Sequence, residues 1–153
     1  MLSQILTNAI FHGSVFGSIF LILIAILGIT GGFKKIRDDE GNFIRPLLPE
    51  AYIGFILFIG LIGAAIYWSN LKLDESVSLV YYWLNGFLTF VIMSLIDLII
   101  LDYLIVVLWH PELLNLPKTA YYTSMRPHFI GFFRGLIFGV FISGILAFIF
   151  WLK

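Results

Sequence analysis

Four stretches of the chain are apolar at nearly every position, with neither the alternation of a barrel strand nor the one-sided stripe of a soluble surface helix. They cover roughly residues 9–33, 51–69, 78–109 and 129–152. Each approaches or exceeds the ~20 residues an α-helix needs to cross ~30 Å of hydrocarbon. Polar connectors separate them: Lys34 to Glu50 with Gly41, Pro46 and Pro49, then Asn70 to Val77 with Lys72, Asp74 and Glu75, then His110 to His128 with Pro111, Pro117 and Pro127. Short connections make successive helices antiparallel neighbours. The pattern predicts an all-α integral membrane bundle of four transmembrane helices, a single domain over residues 1–153.

Composition strengthens this picture. Of 153 residues, 61% are hydrophobic and 12% charged, and the mean hydropathy is +1.04. Soluble domains are about half apolar and a quarter charged, so much of this surface must face lipid. Nine basic and nine acidic residues cancel without forming a basic stripe, which argues against a nucleic-acid partner. With no cysteine, disulfides, thiolate metal sites and cysteine nucleophiles are excluded. Met1 to Phe33 has no charged side chain before Lys34, and its apolar run is too long for a signal peptide, so it reads as a retained membrane helix.

Basic residues near helix ends stay on the cytoplasmic side. Lys34, Lys35, Arg37, Arg45, Lys118 and Arg126 fall in the first and third connectors, against Lys72 and Lys153 on the opposite side. The expectation is a multi-pass protein of the cell membrane with both termini outside.

Within the apolar runs, three charged side chains stand out: Asp97 and Asp102 in the third, Arg134 in the fourth. A charge in hydrocarbon costs several kcal/mol unless it is neutralised, paired or hydrated. Measured from the aromatic belt of Trp83 and Trp151, Asp97 lies about 21 Å deep, Arg134 about 25 Å and Asp102 about 28 Å. Arg134 therefore falls between the acids, and its fork suits a carboxylate. In an α-helix the two aspartates are roughly 140° apart, which predicts that they do not share one face. The expectation is a buried Asp97, Asp102, Arg134 cluster in which one acid lacks a basic partner. Asp97 is the candidate for titration; the alternative is a buried polar clasp that fixes helix register.

The fourth run carries Gly131, Gly135, Gly139, Ser143 and Ala147 at every fourth position. Small residues at this spacing let a second helix approach closely, either within the chain or from another copy. His110, Glu112 and His128 border the third connector and form a candidate polar site on the cytoplasmic side. Their spacing matches no metal motif, and no metal or cofactor is expected. Catalytic triads and nucleotide loops are absent.

Asp97-Leu-Ile-Ile-Leu-Asp102-Tyr103, a prolyl connector, a histidine before the last helix and Arg134-Gly135 resemble small four-helix membrane proteins of prokaryotes. The resemblance covers the C-terminal half. It implies that Asp97, Asp102, His128 and Arg134 belong together, and it brings no established activity. Three functions fit the sequence. The first is a non-enzymatic membrane component that forms oligomers or binds a partner membrane protein. The second is a small proton-coupled transporter or ion-conducting protein built on the charged cluster. The third is a lipid-modifying membrane enzyme using His110, His128 and Asp102.

Overall fold

The computed structural model describes residues 1–36, 38, 44, 49–73, 77–116 and 120–152. Arg37, Arg45, Lys118 and Lys153, used above to orient the chain, lie outside the described residues, as do Pro46 and Pro117. Among the described residues the regular structure is helical and no strand occurs. The elements are α1 (Leu2–Ile29), α2 (Gly32–Ile36), α3 (Pro49–Asn70), α4 (Leu79–Ile96), a π-helix (Asp97–Trp109), a 3-10 turn (Glu112–Leu114), α5 (Ala120–Thr123) and α6 (Met125–Trp151).

Four helical spans are long and apolar enough to cross a membrane: Leu2–Ile29, Tyr52–Asn70, Leu79–Trp109 and Met125–Trp151. In the most apolar window of each, 22% of residues or fewer are buried inside the bundle. The remaining apolar surface is compatible with a lipid solvent.

Local chemistry sets the helix ends. Thr30 Oγ1 donates to Ile26 O at 2.9 Å, and Gly31 at φ +72° turns the chain into α2. Ser124 caps α6, its Oγ accepting from Arg126 N–H at 3.4 Å. Pro127 follows in the first turn, where its missing N–H costs nothing. The π-helix stops at His110, which is left-handed at φ 45°, with its N–H donating to Ile105 O at 2.8 Å.

The α4 helix is the hub, packing on α1, α3 and α6. Both chain ends share one end of the bundle with the α3–α4 connection, because Gln4 Nε2 donates to Lys72 O at 3.1 Å and Ile5, Leu73, Tyr82, Ala147 and Phe150 form one core cluster. We call this the terminal end and the opposite one the loop end. A second cluster at mid-height joins Phe16, Ile62, Ile66, Phe90 and Met93. A third, at the loop end, joins Leu101, Val106, Leu114, Leu116 and Tyr122.

Glycines set how closely the helices approach. A Cβ at Gly13 of α1 would lie 2.7 Å from Ile92 Cβ and 2.8 Å from Thr89 O of α4. At Gly86 it would lie 2.7 Å from Ile66 Cγ2. The small-residue ridge of α6 divides along its length. Gly139 abuts the Phe90 ring, and Ser143 and Ala147 are fully buried, whereas a Cβ at Gly131 or Gly135 would meet nothing within 4 Å. Only the terminal half of the ridge is a packing seam within the chain.

Candidate functional site

The open half of that ridge faces a cavity of about 490 Å³ at the loop end of the bundle. Its walls come from α1 (Phe20, Ile24), α3 (Phe58, Ile62), α4 (Phe90, Met93), the π-helix (Leu98, Leu101) and α6 (Gly131, Phe132, Gly135). Phe33, Leu114, Leu116 and Tyr122 line it from the connecting segments. Against this apolar lining stand Ser94, Asp97, Asp102 and His128.

Both aspartates reach the cavity because of the π winding. In an i→i+5 helix the wider turn brings residue i+5 to within about 50° of residue i around the axis, against about 140° in an α-helix. Asp97 and Asp102 therefore share one face, which corrects the α-helical expectation that they diverge. The physical advantage is specific: at α-helical spacing, one of the two carboxylates would be turned away from the cavity toward packed apolar groups or lipid, at a cost of several kcal/mol. Nothing in Asp97–Trp109 announces the widened turn, since the segment contains neither proline nor glycine.

Asp102 has a partner. His128 Nδ1 lies 2.7 Å from Asp102 Oδ1, with the side chains 7% and 18% exposed. His128 is placed for this by the first turn of α6. Asp97 differs: its Oδ1 is shut off from solvent and has no hydrogen-bond partner among the described residues. A buried polar oxygen without a partner is costly, and if ionised it is far costlier. Asp97 therefore needs a proton, water or a cation from the space it borders.

Arg134 does not join this cluster. It lies on an exposed flank of α6, and no ion pair links it to either aspartate among the described residues. The expected Asp97, Asp102, Arg134 cluster is thus replaced by Asp97, Asp102 and His128. The physical reason is the reach of the arginine side chain. On an exposed flank the guanidinium escapes the cost of desolvation inside the bundle.

Nor are His110, Glu112 and His128 gathered into a second site. His128 lines the cavity, but His110 Nδ1 is turned onto Val106 O of its own helix at 3.0 Å, and Glu112 is exposed. Among the described residues no group of three His, Asp or Glu side chains is arranged to hold a metal ion.

Farther up α4, the polar side chains form a sealed clasp. Asn85 Nδ2 donates to Ser69 Oγ and to Asn70 Oδ1, both at 2.8 Å. The Thr89 hydroxyl hydrogen-bonds Ser69 Oγ at 2.9 Å and donates to Asn85 O at 2.8 Å. All four residues are fully buried, so this cluster ties α3 to α4 and offers no route from the terminal end to Asp97. The phenylalanine walls were the part of the site that sequence reasoning missed. Phenylalanine is abundant throughout the chain, with 16 copies, so nothing distinguished the ones that line the cavity. No protein-family model matches the chain, and neither a curated protein nor a solved structure is significantly similar to it.

Proposed function

We propose that this is a small proton-coupled transporter or ion-conducting protein of the cell membrane, with Asp97 as the group that exchanges a proton. The observation that carries the reading is a buried, unpartnered carboxylate oxygen on a residue that borders an open cavity. A structural clasp would tie the Asp97 side chain to a neighbouring helix by hydrogen bonds, as Asn85 Nδ2 and the Thr89 hydroxyl are tied to α3. The groups facing Asp97 across the cavity are Asp102 from its own helix, His128 from α6, Tyr122 from α5 and Ser94 from α4, while α1 and α3 contribute only apolar side chains. The Asp102 and His128 pair lies beside Asp97 in the same cavity and supplies groups able to pass a proton onward. The lysine and arginine distribution supports both termini being outside, with the cavity in the cytoplasmic half.

Proteoliposomes loaded with a pH-sensitive dye and given an imposed membrane potential test this reading. Proton flux above that of empty liposomes is expected from the native protein, and Asp97→Asn should abolish it while the protein still elutes as a folded species. Equal flux from Asp97→Asn would overturn the assignment.

A second reading, an oligomer-forming membrane component, rests on a different observation. Residues 52–57 of α3 are all exposed, and Gly54, Gly131 and Gly135 have open space where a Cβ would sit. A second copy could seat a helix there. A mass in detergent that never exceeds the monomer removes this reading.

A further inference from the structure

We infer that the cavity binds an organic cation with an apolar body, a quaternary or protonated amine or its phosphonium counterpart, with the charge beside Asp97. This names a substrate class for the site proposed above. Its biological purpose rests on the transport reading, whereas the binding itself does not.

Charge comes first. The ionisable groups lining the cavity are Asp97, Asp102, His128 and Tyr122, with no lysine or arginine among them, so an anion would find no basic counterion there, whereas a cation would find the Asp97 carboxyl group. The walls then select the kind of cation. Calcium or magnesium needs about six or more oxygen ligands, and no such set is present among the described residues. Five phenylalanines, Phe20, Phe33, Phe58, Phe90 and Phe132, line the space instead. Phe20 and Phe58 pack with ring centroids 5.1 Å apart. Aromatic faces attract a poorly hydrated organic cation and shelter its hydrocarbon. The volume of about 490 Å³ lies within the range of small-molecule sites, about 300–1,000 Å³.

The access that this inference carries with it is sideways. Tyr52, Ile53, Phe55, Ile56 and Leu57 of α3 are all exposed, so this stretch of helix leaves the neighbouring wall uncovered. Across from it, Gly131 and Gly135 present bare backbone to the cavity. On this inference a membrane-partitioned cation enters between α3 and α6 without crossing water. On binding, neutral Asp97 releases its proton to water and remains as the carboxylate counterion. One proton leaves for each positive charge that arrives, and no covalent bond to the ligand is made.

The test uses tetraphenylphosphonium as probe and tetraphenylborate, nearly the same shape with opposite charge, as control, on purified full-length protein in nanodiscs. Saturable binding of tetraphenylphosphonium is expected, with release of about one proton per cation in weak buffer. Asp97→Asn should weaken it roughly tenfold or more. Gly131→Leu, whose Cβ would meet nothing within 4 Å, should weaken it as well while keeping native thermal stability. No saturable tetraphenylphosphonium binding, equal binding of tetraphenylborate, or unchanged binding by both variants would each overturn the inference. The two readings fail separately. Asp97-dependent proton flux without phosphonium binding defeats the cation assignment alone; phosphonium binding without such flux defeats transport alone.

Discussion

Asp102 and His128 form a pair in which each side chain justifies the burial of the other. Removing one partner of a buried pair strands the remaining polar group, at a cost of about 3–5 kcal/mol, whereas removing both is far milder. His128→Ala should therefore lower detergent thermal stability more than the Asp102→Asn, His128→Ala double variant does. Arg134→Ala should change stability by less than about 0.5 kcal/mol, as for other exposed positions. A large loss on Arg134→Ala, matched by a small loss on His128→Ala, would restore arginine as the counterion. The sequence named the three charges and, through the rise per residue, an expected order along their helices. It did not show the direction in which Arg134 points, since a long flexible side chain near an interface has a solvated alternative to pairing.

At the scale of the helix, the spans were legible and their internal geometry was not. The predicted run 9–33 corresponds to α1, which starts earlier, at Leu2, and ends at Ile29 before the left-handed Gly31. Polar Ser3, Gln4, Thr7 and Asn8 join that helix because α1 packs along α4 beyond the apolar run. The predicted run 78–109 is one continuous span in which the winding changes at Asp97. Hydrophobic pattern alone carries no signal for such a change, since every position there is apolar apart from the aspartates themselves. Glycine spacing likewise named candidates without saying which were filled. Gly13 is pressed against the backbone of α4, so Gly13→Leu should destabilise the bundle by several kcal/mol. Gly131→Ala should be within about 0.5 kcal/mol of native. Thermal unfolding of the two variants in one detergent checks the contrast.

For the whole molecule, the bundle is tight at the terminal end and open at the loop end. The Ser69, Asn70, Asn85, Thr89 clasp and the Gly13 and Gly86 crossings hold α1, α3 and α4 together. Toward the loop end α3 leaves its neighbours, and the cavity occupies the space. Four helices and their antiparallel order follow from length, hydropathy and short connectors. The cavity does not, because it depends on where helices diverge, which is set by packing between segments distant in sequence. The cysteine-free chain allows the topology to be mapped by single introduced cysteines. A cysteine at Lys72 should react with an impermeant thiol reagent from outside intact cells and one at Arg126 should not. The reverse pattern would invert the assignment.

The central claim is that Asp97 exchanges a proton with the cavity. Infrared difference spectroscopy of the protein in lipid, stepped between mildly acidic and mildly alkaline solution, observes that proton directly through the carbonyl stretch of a protonated carboxyl group. The account predicts a protonated-carboxyl band that changes with the step and is lost in Asp97→Asn. A difference spectrum unaltered by Asp97→Asn, with the variant folded, would contradict it.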